Sequence, residues 1–149
     1  MKKINASDYH VFDAKDKVLG RLASVVAKTL LNGKSVAVVN ANDAIITGSR
    51  NDIIEKYKTR LRLQEKENPE HSPYWPRRPD MLVRRIIRGM LPYRKPRGKS
   101  AYRRLMVFQG VPQELKGLKP IEIKAKNPKE IYVDHIKVGQ LSKLLGYER

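Results

Sequence analysis

The chain has 149 residues, 32 Lys or Arg against 15 Asp or Glu, a formal net charge of +17 and no cysteine. This length favours one domain with its own core, and the lack of cysteine excludes disulfides, thiolate zinc sites and cysteine nucleophiles. The first residues lack the apolar segment of a signal peptide, and no run approaches about 18 apolar residues. We therefore expect a single cytoplasmic domain over 1–149 with no membrane partner.

The first part of the chain alternates strand and helix patterns. Residues 9–13 are typical of a short strand. Apolar residues then recur at helical spacing over 19–30, until an Asn-Gly stop signal. Residues 35–40 form a short β-branched run, which is typical of a strand covered on both faces. Another short extended piece is predicted at 45–47.

Two further helices, joined by a loop, are predicted next. Ser49, with Asp52 three residues later, matches a capping box that begins a helix. The apolar face of this helix contains Ile53, Ile54, Tyr57 and Leu61. Residues 64–79 contain four prolines and predict an extended loop. The other helix is predicted over 81–91, because a Pro-Asp start signal precedes it and a proline follows it.

The rest of the chain predicts a basic loop at 93–100, the start of a short helix at 101–104 and a buried strand at 105–108. A polar connection leads to a closing helix at 138–145, which Gly146 ends. Strands alternating with helices predict an α/β fold. We expect a three-layer α/β/α sandwich on a mostly parallel sheet of about four strands, with long basic loops.

Residues 73–104, which we call the basic segment, contain eleven Lys or Arg and one acid, Asp80. Nine of these cations are Arg, whose planar fork matches phosphate oxygens. Four aromatic residues are interleaved with them: Tyr74, Trp75, Tyr93 and Tyr102. Keeping such a block folded costs free energy unless an anionic partner offsets the repulsion. We therefore expect a nucleic-acid partner, on which the loops at 64–79 and 93–100 become ordered.

The helix predicted over 81–91 has two different faces. On a wheel of about 100° per residue, one arc holds Leu82, Val83, Ile86, Ile87, Met90 and Leu91. Arg84, Arg85 and Arg88 fall on the opposite side. Solvated faces normally mix charges of both signs, whereas this one has no acid after the first turn. We expect the apolar arc to enter the core and the three arginines, which project away from it, to contact phosphates; the alternative is a merely solvated face.

Motifs for catalysis are missing from the sequence. His10, His71 and His135 are scattered, and Asp134 next to the last of them suggests an ordinary surface pair. Gly20 lies between a strand and a helix, where dinucleotide-binding folds place a phosphate loop, but neither G-x-G-x-x-G nor G-x-x-x-x-G-K-[ST] occurs. We therefore expect no enzyme, no cofactor, no metal and no small-molecule substrate.

Two alternatives to a ribonucleoprotein role stay open at this point. A nucleotide-using α/β enzyme would need a convergent set of acid, base or metal ligands. A sequence-specific DNA-binding regulator would usually show a helix-turn-helix or a similar reader, whereas the cations here are divided between loops and one half-apolar helix.

Three segments resemble the L-thirteen family of universal large-subunit ribosomal proteins. They are VFDAKDKVLGRLASVVAKTLLNGK (11–34), VVNANDAIITG (38–48) and RGMLPYRKPRGKSAYRRLMVFQGVP (88–112). The resemblance runs from about residue 9 to residue 113 and is most specific in LGRLAS and RGMLP. It implies a three-layer α/β/α domain on a four-stranded parallel sheet, early binding to large-subunit ribosomal RNA (rRNA) and no catalytic role.

The chain departs from the bacterial pattern of that family in two places. The sequence GVPQ at 110–113 stands where a histidine-containing motif is expected after the last strand. The tail at 138–146 is similar to that of the archaeal members and their eukaryotic relatives. Nothing specific to the bacterial carboxyl terminus is therefore carried over to the tail at 114–149.

Charge pattern and resemblance together predict a structural constituent of the large subunit in the cytoplasmic ribosome. Its expected partners are large-subunit rRNA, bound through Arg and Lys contacts to phosphate, and neighbouring ribosomal proteins. The residues predicted to contact rRNA are Arg21, Lys34, Arg50, Arg77, Arg78, Arg84, Arg85, Arg88, Tyr93, Arg94, Lys95, Arg97, Lys99, Arg103 and Arg104.

Overall fold

Strands and helices alternate along the chain in the computed structural model, which describes residues 9–123 and 133–148. The strands are β1 (Tyr9–Asp13), β2 (Ser35–Val39), β3 (Ile45–Thr47), β4 (Leu105–Val107) and β5 (His135–Lys137). The helices are α1 (Leu19–Leu31), α2 (Arg50–Arg62), α3 (Pro79–Gly89), α4 (Pro96–Arg103) and α5 (Val138–Leu144). The predicted α/β class is confirmed.

The main sheet is parallel, with the strand order β1-β2-β4. Its central strand β2 has four buried residues in a row, as its β-branched sequence predicts. The described sheet thus has three strands, and β3 pairs antiparallel with β5 instead. The Ile45 N–H of β3 donates to the Lys17 carbonyl at 2.9 Å. This places β3 beside the connection that follows β1, beyond the carboxyl edge of the main sheet.

The two faces of the main sheet pack differently because successive side chains of a strand alternate between them. Phe12, Val36 and Val38 point into the larger core, which α1, α3 and α4 cover. Val11, Ala37 and Val39 point into a smaller cluster on the other face. In the described residues, that second face is covered by the 3-10 turn Gln113–Leu115 and by the segment in which the Ile121 N–H donates to Val11.

The prediction of a loop over 93–100 is wrong for residues 96–100, because α4 begins at Pro96. A proline at the first position of a helix loses no hydrogen bond and has a suitable φ, so it begins this helix rather than breaking it. A Cβ added to Gly98 would lie 2.0 Å from the carbonyl oxygen of Pro92. The close approach of two backbone segments therefore requires this glycine. Ordering on RNA remains a prediction only for the segments outside α4.

Other element boundaries also differ from the prediction. The loop after α2 ends at Arg78, because Pro79 is the first residue of α3, and it contains the 3-10 turn Pro69–His71. The helix α3 ends at Gly89, two residues earlier than expected. Ser49 is the N-cap residue of α2, but its side chain makes no capping hydrogen bond. The predicted capping box is therefore not formed.

Lys137 of strand β5 forms ion pairs with two carboxylates at the carboxyl edge of the main sheet. Its ammonium lies 3.2 Å from Oδ1 of Asp43 and 3.7 Å from Oδ1 of Asp16. The hydrogen bond to Asp43, and then the charge of that carboxylate, raise the pKa of Lys137 above its ordinary 10.5. The stability that this contact contributes is therefore complete below the unfolded pKa and is lost as the pH rises through the raised value.

Replacing Lys137 with Met should therefore lower Tm in a pH-dependent way. We expect a lower Tm than that of the wild type at about pH 8, and a difference that shrinks as the pH rises through the raised pKa of Lys137, where the wild-type ammonium loses its charge. Thermal melts of both proteins across this range test the contact. A Tm difference that is independent of pH would contradict it.

Candidate nucleic-acid interface

Helix α3 carries the three arginines at the centre of the basic segment. Its residues Leu82, Val83 and Ile87 are buried in the larger core, as the helical spacing predicts. Arg84, Arg85 and Arg88 lie on the other side but are only partly exposed. Ile86 is half-buried and Met90 is exposed, so the buried arc is also narrower than expected.

Each of these arginines stacks on an aromatic ring from another part of the basic segment. The distances from Cζ to the ring centroid are 4.7 Å for Arg84 over Tyr102, 4.8 Å for Arg85 over Trp75 and 4.8 Å for Arg88 over Tyr93. Tyr93 and Tyr102 also contact each other edge to face, with centroids 5.3 Å apart. A guanidinium within about 6 Å of a ring centroid is attracted to the ring, so these rings hold the cations in place.

Arg60 of α2 extends this arrangement and was not among the predicted residues. Its Cζ lies 4.5 Å from the centroid of Trp75 and 5.2 Å from that of Tyr57. Burial raises the pKa of Tyr57, and the charge of Arg60 partly opposes that effect. No sequence signal could have revealed the contact, because Arg60 and Trp75 belong to different elements. We call the four arginines and their four rings the arginine–aromatic cluster.

The positive charges of the cluster repel one another. Burial, followed by the nearby charge of Arg88, lowers the pKa of Arg85, and Arg60 adds to the effect. Within the described part of the chain, no carboxylate forms an ion pair with any of the three arginines of α3, and Nε of Arg84 is buried without a hydrogen-bond partner. An anion bound here would relieve this repulsion.

Helix α4 and the turn before it add further cations next to the cluster. Arg94, Lys95, Lys99 and Arg103 are exposed. Arg104 is half-buried, and its Nη2 donates to the Leu30 carbonyl at 2.9 Å; Nη2 of Arg97 lies 3.5 Å from the Leu31 carbonyl. Both groups therefore satisfy carbonyls at the carboxyl end of α1, where the helix dipole also favours a cation.

The remaining predicted cations lie outside the cluster. Arg77 and Arg78 are exposed just before α3, and Arg78 pairs with Asp80 at 2.8 Å. Arg21, Lys34 and Arg50 are exposed as well. Because α1 runs from the carboxyl end of β1 to the amino end of β2, Arg21 and Lys34 lie at opposite edges of the main sheet. The fold places Lys34 next to the cations at the end of α4, because the Val36 N–H donates to the Arg104 carbonyl at 3.1 Å, whereas Arg21 lies at the other edge of the sheet.

In the part of the chain that the structure describes, few features point to a metal site, a membrane span or a catalytic cleft. Residues 9–123 and 133–148 contain no group of three or more His, Asp or Glu side chains that could hold a metal ion. None of the helices in those ranges is long and apolar enough to cross a membrane. A cleft of about 330 Å³ at the carboxyl edge of the main sheet includes Asn42, Lys137 and Tyr147 in its lining, but no serine or histidine.

Comparisons with known proteins connect this chain with one family. The model of the family described as Ribosomal protein L13 matches residues 7–114, which include the whole cluster. A relative from Methanosphaera stadtmanae, named large ribosomal subunit protein uL13, is 44% identical over 137 residues, 91% of this chain and 96% of its own. Proteins of that name from Methanopyrus kandleri and Archaeoglobus fulgidus are 38% and 47% identical, over 99% and 77% of this chain and 92% and 72% of their own.

Proposed function

Because the chain belongs to the ribosomal protein L13 family of the large ribosomal subunit, we propose that it binds large-subunit rRNA through the arginine–aromatic cluster and the exposed cations of α4. The resemblance seen in the sequence is thereby confirmed. The protein's role in the subunit is structural. We propose that it performs this role by binding rRNA.

The observation that carries the proposal is a row of three guanidinium groups on one helix face without a neutralising acid. Their faces lie over aromatic rings, while the edges of a guanidinium carry its N–H donors. Such donors match phosphate oxygens and can form paired, charge-assisted hydrogen bonds. Arginines that are already held in place lose less side-chain freedom on binding. The cluster thus suits the RNA backbone better than it suits base stacking.

The proposal also covers the surroundings of the protein in the subunit. The chain would join the large-subunit rRNA early in assembly, in the cytoplasm, and contact neighbouring ribosomal proteins. Binding of this kind requires no catalytic step and no cofactor. The two alternatives considered for the sequence, a nucleotide-using enzyme and a DNA-binding regulator, therefore serve as outcomes of the test.

Filter binding of the purified chain tests the rRNA contact. We expect saturable binding to large-subunit rRNA whose log K falls with log salt by roughly 0.7–0.9 for each phosphate contacted. Small-subunit rRNA and duplex DNA of matched length serve as competitors and should bind more weakly. Equal affinity for the duplex DNA, or micromolar stoichiometric binding of ATP or NAD, would contradict the proposal.

Early entry into the subunit has a separate test. Cells depleted of the protein should accumulate precursor particles that also lack ribosomal proteins joining later, because the rRNA fold that the protein stabilises would form poorly. Quantitative mass spectrometry of gradient-purified particles measures their composition. Full-sized subunits lacking this chain alone would exclude an early role.

A further inference from the structure

One aromatic residue of the basic segment, Tyr74, has no arginine over its ring in the described part of the chain. Trp75, Tyr93 and Tyr102 each lie under a guanidinium. The side chain of Tyr74 is 81% exposed, and among the described residues its ring has neither an aromatic nor a cationic partner. A ring exposed to this extent next to a cationic surface is available to a ligand.

Tyr74 lines an open groove of about 470 Å³ between the carboxyl-terminal part of α2 and the start of α3. The other lining residues are Leu61, Pro73, Trp75, Pro76, Arg77, Arg78 and Met81. Met81 is also exposed, at 42%. This volume lies within the range of small-ligand sites, roughly 300–1,000 Å³, and apolar walls with a few polar groups are typical of such sites.

The cations of the groove are not equivalent. Arg78 is engaged by Asp80, with Nη2–Oδ2 and Nε–Oδ1 distances of 2.8 and 3.2 Å. The Arg77 side chain is exposed and forms no ion pair in the described residues, and its backbone carbonyl accepts a hydrogen bond from Oγ of Ser142 in α5. The backbone of Arg77 is thus anchored while its guanidinium remains available to an anion.

We propose that this groove takes one unpaired nucleotide of the bound RNA, with its base stacked on Tyr74 and its phosphate at Arg77. The inference rests on the proposed function, because it names the part of the rRNA that this region contacts. Every base has a π face, so stacking on an exposed ring accepts an extruded base of any sequence. Bases inside a duplex cannot reach the ring, so the groove selects single-stranded or bulged positions.

The charge of the surroundings favours RNA over a peptide. No Asp or Glu lines the groove, and Asp80 is the single acid of the basic segment. An apolar peptide would cover Arg77 without offering it a counter-charge, whereas a nucleotide supplies the base and the phosphate together. The cluster and the groove would then divide the recognition: the former contacts backbone phosphates, and the latter recognises an unpaired base.

Substitution of Tyr74 tests this assignment. Because the exposed ring supports nothing in the described fold, Tyr74→Ala should keep the wild-type Tm. Its affinity for large-subunit rRNA should fall roughly 5- to 150-fold, the loss expected for one stacked base, with an unchanged slope of log K against log salt. Tyr74→Phe retains a ring and should recover most of this loss. Leu63→Ala removes another exposed apolar side chain, outside the groove, and should bind as the wild type does.

The outcomes separate this inference from the proposed function. If the wild type binds rRNA and Tyr74→Ala binds it equally well, the groove does not hold a base and the inference is overturned. If the wild type itself shows no saturable binding to rRNA, the proposed function fails. A photoreactive benzophenone amino acid at position 74 of assembled subunits should crosslink to an unpaired rRNA nucleotide. A crosslink to a protein instead would identify a peptide as the occupant and overturn the inference.

Discussion

Replacing Gly98 with Ala is expected to lower the free energy of unfolding by about 1–3 kcal/mol or more. The added Cβ would lie 2.0 Å from the Pro92 carbonyl oxygen and 2.8 Å from the Tyr93 backbone nitrogen. Both are backbone atoms, so no side-chain rotation can relieve the clash and the turn between α3 and α4 must move. Chemical denaturation followed by the fluorescence of the single tryptophan measures the loss.

Gly89→Ala is the matched control, since a Cβ added at that position of α3 would meet no atom within 4 Å outside its chain neighbours and the backbone of its own helix. That variant should be as stable as the wild type, or more stable by up to about 1 kcal/mol, because alanine has the better helix propensity. Equal effects of the two substitutions would show that helix propensity alone, and not the contact with Pro92, accounts for the loss at Gly98.

Replacing Arg84, Arg85 and Arg88 together with Gln should weaken both RNA binding and folding. Three lost phosphate contacts should flatten the slope of log K against log salt by roughly two units. The lost stacking on rings should cost about 0.5–1 kcal/mol of stability for each arginine, less the repulsion that is relieved. Salt-dependent filter binding and denaturant unfolding measure the two effects separately.

Lysine at the same three positions provides the control, because it keeps the charge but not the planar fork. That triple variant should retain most of the salt dependence while losing affinity and stability. If the glutamine variant kept the wild-type slope, the α3 face would not contact phosphates. If the lysine variant, in which the repulsion is kept, had the full wild-type stability, the stacking of the planar guanidinium groups would not contribute to folding.

Much of the fold follows from local periodicity. The helical spacing of 19–30 predicted α1, and the β-branched run at 35–40 predicted the buried strand β2. Pairings between distant segments could not be predicted in this way. The antiparallel contact of Ile45 with Lys137 joins parts of the chain that no local pattern connects.

Helix α4 shows why local breaker signals mislead. Pro96 and Gly98 together suggest a loop, since one lacks an N–H and the other has a low helix propensity. In the fold, Pro96 occupies the first turn, where its missing N–H costs nothing. A glycine is required at position 98 because a Cβ there would clash with the backbone of Pro92. This contact depends on the tertiary structure, so it could not be predicted from the local sequence.

The candidate site was predictable in composition but not in arrangement. Charge density alone identified the arginines of α3, because their clustering is visible along the chain. A helical wheel gives the direction of a side chain but not what lies next to it, so the covering of Arg84, Arg85 and Arg88 by rings was missed. The contacts of Arg60 and Arg85 with Trp75 were missed for the same reason, since they join α2, a loop and α3.

A cryo-EM reconstruction of the large subunit containing this chain tests the central claim most directly. We expect phosphate oxygens at about 2.7–2.9 Å from guanidinium nitrogens of at least two of the three arginines of α3, with the rings still stacked beneath them. A reconstruction in which that face of α3 meets another protein, or only solvent, would contradict the account.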